Sequence, residues 1–190
     1  MSLAVVCETS SIAVRSSMSG LGAIAVAILN GAVIGIRFGY QSEAGAVAAL
    51  LGPSKRRKAD EDSKELSQAD ERLADEVLDR LLRYADGEPV DLRAVPVSVD
   101  HLSTFQRRVV KACRAIPAGE RRTYGELAAA AGSPGAARAV GTVMATNRVP
   151  LIVPCHRVVA SGGKLGGFSS PQGLAMKRRL LELESASLFG

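Results

Sequence analysis

The sequence contains no tryptophan, and aromatic residues make up only 4% of its 190 residues. Its hydrophobic content is nevertheless 47%, and 23% of the residues are charged. A core must therefore be built mainly from alanine, valine, leucine and isoleucine. This composition is typical of a soluble globular protein with one or two domains.

Cysteine and histidine are also rare. The three cysteines are widely spaced without a CxxC motif, and only two histidines are present, His101 and His156. An odd number of cysteines argues against a disulfide framework, and so few histidines argue against a metal site. We therefore expect no metal and a reducing, cytoplasmic location. The cysteines are Cys7, Cys113 and Cys155.

No stretch reaches the roughly 18 uncharged apolar residues of a membrane span. Residues 21–36 come nearest, but Asn30-Gly31 interrupts them with a hairpin signal. We expect strands over 22–29 and 32–38, and a first strand over 3–7. Because the N-terminus also lacks the pattern of a signal peptide, we expect no membrane association.

Charge is distributed unequally along the chain. Residues 1–100 carry 11 basic and 15 acidic side chains, whereas residues 101–190 carry 13 basic and 4 acidic ones. The basic half is typical of a surface that meets nucleic acid, and the alternative is a basic surface kept for solubility. Residues 88–103 contain Pro89 and Pro96 and predict an extended linker, so we expect domains over 1–95 and 96–190.

Apolar periodicity predicts helices on both sides of this boundary. In the first half they cover 44–51 and 67–84, and the second of these has an acidic face that we expect to be exposed. In the second half, helices over 124–131 and 136–146 are joined by a short glycine-containing turn, which favours a helix-turn-helix. Further helices are expected over 105–116 and 173–184. The acidic face comprises Asp70, Glu71, Asp75, Glu76 and Asp79, and the inner stripe of the last helix comprises Leu174, Lys177, Leu180, Leu181 and Glu184.

Two short stretches carry more specific chemistry. The basic run 55–58 precedes acidic residues, which favours a solvated loop over a targeting or nucleic-acid role. The β-rich run 151–153 leads into Pro-Cys-His-Arg at 154–157. A thiol becomes a nucleophile when a neighbour accepts its proton or stabilises its thiolate, and the alternative is that Cys155 is an inert buried side chain.

The chain resembles the O6-alkylguanine-DNA alkyltransferase family from about Thr104 to Glu184. Several motifs carry the resemblance, and their common order makes it specific. They are Phe105-Gln106, Tyr124-Gly125-Glu126-Leu127-Ala128, Ala137-Arg138-Ala139-Val140-Gly141, Asn147, Pro154-Cys155-His156-Arg157-Val158, Gly166-Gly167-Phe168-Ser169 and Lys177 to Glu184.

The resemblance implies an α+β fold. A small antiparallel β-sheet with helices (ribonuclease H-like) would precede a mostly helical domain with a helix-turn-helix. The implied activity is DNA repair by irreversible, single-turnover transfer of an alkyl group to Cys155, with nucleotide flipping and no cofactor. The substrate would be O6-alkylguanine, with O4-alkylthymine as a further candidate, in double-stranded DNA bound through the minor groove by a monomer. Lesion size preference and cooperative binding stay open.

The resemblance also implies roles for single residues. Cys155 accepts the alkyl group, and His156 takes its proton through a water. Glu184 orients the histidine, a role for which Glu182 is a nearby alternative. The remaining expected catalytic residues are Asn147, which hydrogen-bonds around the cysteine turn, and Tyr124, which assists the leaving guanine. The expected DNA contacts are Arg138 (filling the gap left by the flipped base), Ala137, Thr123 and Gly141, and the expected pocket residues are Val158, Phe168, Ser169 and Pro150.

Two departures and two alternatives accompany these expectations. Phe168 stands where many relatives have tyrosine, so only stacking is available there, and the ligands of a structural zinc are missing. A lesion sensor or a regulator that binds DNA without chemistry is disfavoured because Cys155 is present. A cysteine hydrolase is disfavoured because neighbouring residues on a strand, such as Cys155 and His156, point to opposite faces.

Overall fold

The computed structural model describes residues 12–52 and 67–187. They divide into two compact units, one with the residues up to Val90 together with Ala94–Ser98, the other with Asp91–Arg93 and the residues from Val99 onward. The elements of the first unit are β1 (Ala13–Ser17), β2 (Ala23–Leu29), β3 (Ala32–Tyr40), α1 (Glu43–Leu51) and α2 (Gln68–Ala85). Those of the second unit are α3 (Thr104–Arg114), β4 (Arg122–Thr123), α4 (Tyr124–Ala130), α5 (Ala137–Ala145), β5 (Val158–Val159) and α6 (Gly173–Ser187).

The first unit is built on an antiparallel sheet with strand order β1-β2-β3. The predicted hairpin is confirmed, since Asn30 and Gly31 turn the chain between β2 and β3 with φ angles of 52° and 73°. Two successive positive φ angles suit the tight turn that follows the twist of a hairpin, and Asn-Gly adopts it at little cost. The predicted α+β class is confirmed as well.

Both helices of the first unit pack against this sheet. The alternate residues Ala23, Ala25 and Ala27 of β2 form one core cluster with Ala46 and Val47 of α1. Alanine leaves room for a helix to approach the sheet closely, so a core with few aromatic residues can still be dense. From α2 the unit buries Ala74, Val77, Leu78, Leu81, Tyr84 and Ala85.

The acidic face of α2 is predicted to be exposed, and this prediction is wrong for Asp70. It is only 4% exposed, and its carboxylate accepts hydrogen bonds from the backbone N–H groups of Asn30 at 2.9 Å and Gly31 at 2.7 Å. The periodicity places Asp70 correctly on the helix but cannot show that a hairpin tip lies against it. The two backbone N–H groups of the turn thus replace the water molecules that the Asp70 carboxylate loses on burial.

The predicted linker is wrong for residues 95–98, which pair with β3 of the first unit. The N–H of Val33 donates to the carbonyl of Pro96 at 2.9 Å, and the N–H of Ser98 donates to the carbonyl of Val33 at 3.0 Å. This short extended segment therefore belongs to the edge of the first unit. The division of the chain into independently folding domains stays a prediction.

In the second unit, sequence-encoded caps start two helices. Ser103 and Gln106 form a capping box at α3, and Thr123 and Glu126 form another at α4. Each box satisfies two backbone donors of the first helical turn. Helices α4 and α5 pack against each other across the connection at 131–136, which confirms the predicted helix-turn-helix.

Helix α6 mostly follows its predicted stripe. Lys177, Leu180, Leu181 and Glu184 are buried, as is Met176, but Leu174 is 48% exposed. Leu174 lies in the first turn of the helix, and the prediction for it is wrong. The predicted strand 3–7 and the basic run 55–58 lie outside the described residues. Within the described ranges, no helix is long and apolar enough to cross a membrane.

We predict that Asp70→Ala lowers the free energy of unfolding by about 1–3 kcal/mol, because the backbone N–H groups of Asn30 and Gly31 lose a charged acceptor. Urea denaturation followed by circular dichroism measures this change. Asp79→Ala, at an exposed position of the same helix, is the matched control and should change the free energy by less than about 0.5 kcal/mol. Equal effects of the two substitutions would contradict the role given to Asp70.

Candidate functional site

The cysteine turn differs from its predicted strand. Residues 151–153 are buried, but they form a turn in which Leu151 has a φ of 72°. Cys155–Arg157 then form one turn of 3-10 helix before β5. The apolar run predicted burial correctly and strand conformation wrongly, because Pro150 and Pro154 bracket a segment too short to pair. Cys155 and His156 are therefore successive residues of a tight helical turn.

Asn147 holds this turn from inside. Its Nδ2 donates to the carbonyl of Val153 at 2.9 Å, and its Oδ1 accepts from the N–H of Val149 at 3.1 Å. Burial raises the pKa of the Cys155 thiol, and a hydrogen bond from Asn147 and the charge of Lys177 partly oppose this effect. The thiol is therefore protonated at neutral pH and needs a base before it can act as a nucleophile.

His156 and Glu184 form a buried pair. His156 Nε2 lies 2.8 Å from Glu184 Oε1, and the two residues are 1% and 2% exposed. Burial lowers the pKa of His156 despite the nearby carboxylate, so its ring is neutral near pH 7 and able to accept a proton. Burial alone would raise the pKa of Glu184, but hydrogen bonds from His156 and Arg157 outweigh it and lower that pKa. Glu182 is exposed, so the geometry favours Glu184 over its alternative.

Arg157 is a member of this cluster to which we gave no role. Its Nη2 donates to Glu184 Oε1 at 2.7 Å and its Nε to Oε2 at 3.0 Å, while its Nη1 donates to the carbonyl of Ile116. The two-pronged contact holds the carboxylate in one orientation, which in turn orients the ring of His156. The Pro-Cys-His-Arg motif itself indicated that Arg157 has a partner, since a charged residue among buried neighbours needs one.

Lys177 is a second such residue. It is fully buried, and its Nζ donates to the carbonyl of Val158 at 2.6 Å and to that of Gly167 at 3.4 Å. Burial lowers the pKa of Lys177 to about 8, although the charge of Cys155 works against this shift. The sequence indicated this burial, because Lys177 lies on the predicted inner stripe of α6. Its ammonium connects α6, β5 and the glycine-rich loop close to the thiol.

Tyr124 is held between two glycines. A Cβ atom added at Gly166 would lie 3.2 Å from Tyr124 Oη, and one added at Gly141 would lie 4.0 Å from Tyr124 Cε1. Burial, followed by the charge of Cys155, raises the pKa of the Tyr124 phenol. The phenol therefore keeps its proton at neutral pH and can donate a hydrogen bond. Gly141 lies beside this ring, and its contact with DNA stays a prediction.

The other predicted DNA-binding residues lie around the start of α4 and α5. Thr123 uses its hydroxyl as the N-cap of α4, where it accepts from the N–H of Glu126 at 3.2 Å. Ala137 is the half-buried first residue of α5. Arg138 is exposed, and within the described ranges no protein group binds its guanidinium. These positions stay predictions as DNA contacts.

The four predicted pocket residues are placed differently from one another. Val158 is fully buried, and Pro150 forms a bridge with Val153 inside the cysteine turn. Phe168 is half-buried, and the hydroxyl of the exposed Ser169 donates to the carbonyl of Ala145 at 3.2 Å. None of the four lines the cavity of about 640 Å³ that lies elsewhere in this unit. Their role as a substrate pocket stays a prediction.

Together these residues provide the parts of a nucleophilic displacement. They are a buried thiol, a neutral imidazole held by an ionised carboxylate, and a protonated phenol. In the part of the chain that the structure describes, no three His, Cys, Asp or Glu side chains come together as a metal site.

Comparisons with known proteins point to the same region. Residues 104–186 match the family described as "6-O-methylguanine DNA methyltransferase, DNA binding domain". The methylated-DNA–protein-cysteine methyltransferase of Mycobacterium tuberculosis (strain ATCC 25618 / H37Rv) is 48% identical over 110 residues, or 57% of this chain and 64% of the relative. The chain thus spans slightly less than two thirds of that relative. The enzyme of the same name from Methanopyrus kandleri is 51% identical over 106 residues, or 56% of this chain and 76% of the relative.

A solved structure extends the similarity to both units. The crystal structure of Mycobacterium tuberculosis OGT in complex with DNA has a TM-score of 0.68 and 32% identity, covering 92% of this chain and 93% of that chain. The expected family resemblance is confirmed by this coverage and by the relative from M. kandleri. The chain belongs to the methylated-DNA–protein-cysteine methyltransferase family.

Proposed function

We propose that this protein repairs alkylated DNA by transferring the alkyl group from the O6 atom of guanine to the Sγ atom of Cys155. One observation carries the proposal: the buried Glu184 carboxylate lies 2.8 Å from the ring of His156, the residue that follows the buried Cys155 in the chain. The transfer is irreversible and each molecule acts once, because the thioether product offers no leaving group at neutral pH. O4-alkylthymine presents a similar alkyl–oxygen bond and is a secondary substrate.

The reaction is a displacement at an alkyl carbon. The Cys155 thiol loses its proton to His156 through a water, and the thiolate sulfur forms a bond to the alkyl carbon as the carbon–oxygen bond breaks. A thiolate is the best side-chain nucleophile for this step, but the raised pKa of Cys155 leaves little thiolate at pH 7. A base is therefore required. Glu184 stabilises the imidazolium that forms and remains ionised throughout.

The electron pair of the broken bond stays with the guanine. A hydrogen-bond donor beside the base would stabilise this developing negative charge. Tyr124 is the proposed donor, since its phenol has a raised pKa and is held against Gly166. Tyr124 donates a hydrogen bond and keeps its proton, and the proton that His156 took from the thiol passes through water to the guanine, which becomes a neutral base again.

The DNA partner is proposed to be a duplex approached from the minor groove by a monomer. A base stacked in a duplex cannot reach a buried thiol, so the alkylated nucleotide must be flipped out at a cost of a few kcal/mol. Helix α5 is rich in alanine and glycine, which permits close approach to a narrow groove. The exposed Arg138 would fill the vacated space and offset part of the flipping cost.

Incubation with a duplex that carries one O6-methylguanine should add one methylene group to the intact protein. Mass spectrometry should locate the addition on Cys155, and Cys155→Ala should show none. Cys113→Ala is the matched control, because Cys113 is the other buried free thiol of the described residues, and it should still be alkylated at Cys155. Tight duplex binding without a mass increase would instead indicate a lesion sensor, and repeated turnover would indicate a true catalyst.

Glu184→Gln should slow the transfer by about 100-fold, because His156 loses the carboxylate that supports it as a base. It should also lower the free energy of unfolding by about 3 kcal/mol, because the buried Arg157 loses its ionic partner. Glu182→Gln is the matched control two residues away at an exposed position, and it should change neither quantity. Single-turnover kinetics and urea denaturation measure the two effects. A Glu182→Gln variant as slow as Glu184→Gln would contradict the assignment.

Stability should depend on acid pH through the same carboxylate. The pKa of Glu184 is lowered in the folded protein, whereas an unfolded glutamate has a pKa of about 4.3. The unfolded state therefore binds the proton first, so the stabilisation is complete above about pH 5 and is lost as the pH falls below it. The free energy of unfolding should fall more steeply between about pH 5 and pH 3 in the unmodified protein than in Glu184→Gln. Parallel curves would contradict the ionised buried carboxylate.

Arg138→Ala should weaken transfer from duplex DNA by about tenfold, which corresponds to about 1.4 kcal/mol of the flipping cost. Transfer from free O6-benzylguanine should stay within about twofold, since a free base needs no flipping. Arg178→Ala removes an exposed arginine of α6 and serves as the charge-matched control. Equal losses on both substrates would rule out a role of Arg138 in flipping.

A further inference from the structure

A groove runs along the second unit between α3 and α4, away from the residues that the proposed repair reaction uses. Its volume of about 640 Å³ lies within the range of about 300–1,000 Å³ that is typical of ligand sites. Neither α5 nor the Cys155 turn contributes to its lining. The lining residues are Arg108, Lys111, Ala112, Ala115, Ile116, Pro117, Arg122, Glu126, Leu127, Ala130 and Ala131.

The floor of the groove is apolar and built from small side chains. Its lining includes Ala112 and Ala115 from the α3 side, Ala130 and Ala131 from the α4 side, and the buried Leu127. Larger residues at the alanine positions would close the gap between the helices. The groove is therefore shaped to receive apolar side chains from an occupant rather than to pack against itself.

The rim of the groove is basic. Arg108 and Lys111 are exposed, and among the described residues neither has a hydrogen bond or an ion pair with another side chain. Arg122 is paired only at the surface, with Glu120 at 2.8 Å. The single acidic residue of the lining, Glu126, directs its carboxylate to its own helix cap, where it accepts from the N–H of Thr123 at 2.6 Å. The charge that an occupant meets is positive.

Two neighbouring arginines of α3 differ from Arg108 and Lys111, because their guanidinium groups bind backbone carbonyls. Arg107 donates to the carbonyls of Leu102 at 2.9 Å and Asp100 at 3.0 Å, and Arg114 donates to the carbonyl of Arg93 at 2.5 Å. These two arginines fasten the ends of α3 to adjacent backbone. Arg108 and Lys111, by contrast, line the groove, and their side chains have no hydrogen bond or ion pair with residues 12–52 or 67–187.

We propose that this groove binds an acidic amphipathic segment of a partner protein. The apolar side chains of the segment fill the alanine-lined floor, and its carboxylates pair with Arg108, Lys111 and Arg122. An apolar floor suits a peptide better than a nucleic acid, because a duplex backbone presents phosphates and sugars but no side chains to fill it. The interaction is separate from alkyl transfer and would recruit or position the protein without using Cys155.

The probe is a fluorescein-labelled helical peptide of 14 residues with leucine on one face and glutamate on the other. Fluorescence anisotropy should show binding to the 190-residue chain. A peptide with glutamine in place of glutamate, and a peptide with alanine in place of leucine, should each bind at least about tenfold more weakly. If the alanine peptide binds equally well, the groove is only an electrostatic surface and the proposal fails.

Three variants test the location. The double variant Arg108→Gln/Lys111→Gln and the groove-filling variant Ala130→Phe should each weaken binding of the leucine–glutamate peptide by at least about tenfold. Lys164→Gln/Arg178→Gln removes the same charge at exposed positions outside the lining and should leave binding within about twofold. Circular dichroism melting confirms that each variant is folded. Equal effects of the two double variants would overturn the proposal.

Three further readouts separate the proposed occupant from others. Amide chemical shifts should change along α3 and α4 on peptide addition, and a change confined to α5 would instead assign the peptide to the proposed DNA surface. Duplex affinity should be the same in Arg108→Gln/Lys111→Gln and in the control double variant. A selective loss of duplex affinity in the groove variant would make the groove part of a DNA interface, and peptide-independent dimers lost in that variant would make it a contact between copies of this chain.

Discussion

The second unit depends on one buried carboxylate. Glu184 accepts hydrogen bonds from Arg157 and lies 2.8 Å from the imidazole of His156, so a single side chain of α6 holds both residues that follow Cys155. Removing any one of the three would leave a charge or a polar ring in an apolar interior, at a cost of several kcal/mol. The geometry of the thiol and its base is thus coupled to the packing of the whole unit.

Burial tunes each ionisable group of the site in a direction that suits alkyl transfer. It raises the pKa of Cys155 and Tyr124 and lowers that of His156. At neutral pH the thiol and the phenol keep their protons while the imidazole lacks one. A protonated thiol reacts slowly with electrophiles, and in the proposed reaction Cys155 becomes reactive when its proton moves to His156.

The two proposed surfaces of the second unit divide its excess positive charge. Arg138 of α5 belongs to the surface that we propose for DNA, whereas Arg108 and Lys111 of α3 border the alanine-lined groove. Arg157 and Lys177 are buried basic residues, and they bind Glu184 and backbone carbonyls. The positive charge of this half of the chain thus belongs to the proposed DNA surface, to the groove and to the interior. Composition alone does not distinguish these three locations, whereas the positions of the side chains do.

The sequence by itself determined the elements whose signals are local. The Asn30-Gly31 hairpin, the capping boxes at Ser103 and Thr123, and the α4–α5 pair follow from turn and cap chemistry within a few residues. Ordered motifs around Cys155 also indicated the family. Only the tertiary structure decided that residues 151–153 turn rather than form a strand, that Asp70 binds a hairpin tip, and that Arg157 and Lys177 are buried. The turn at 151–153 is held by Asn147, six residues before Val153. The burial of Asp70, Arg157 and Lys177 depends on groups 19 to 41 residues away in sequence, because a buried polar group is stable only where distant backbone and side chains supply its partners.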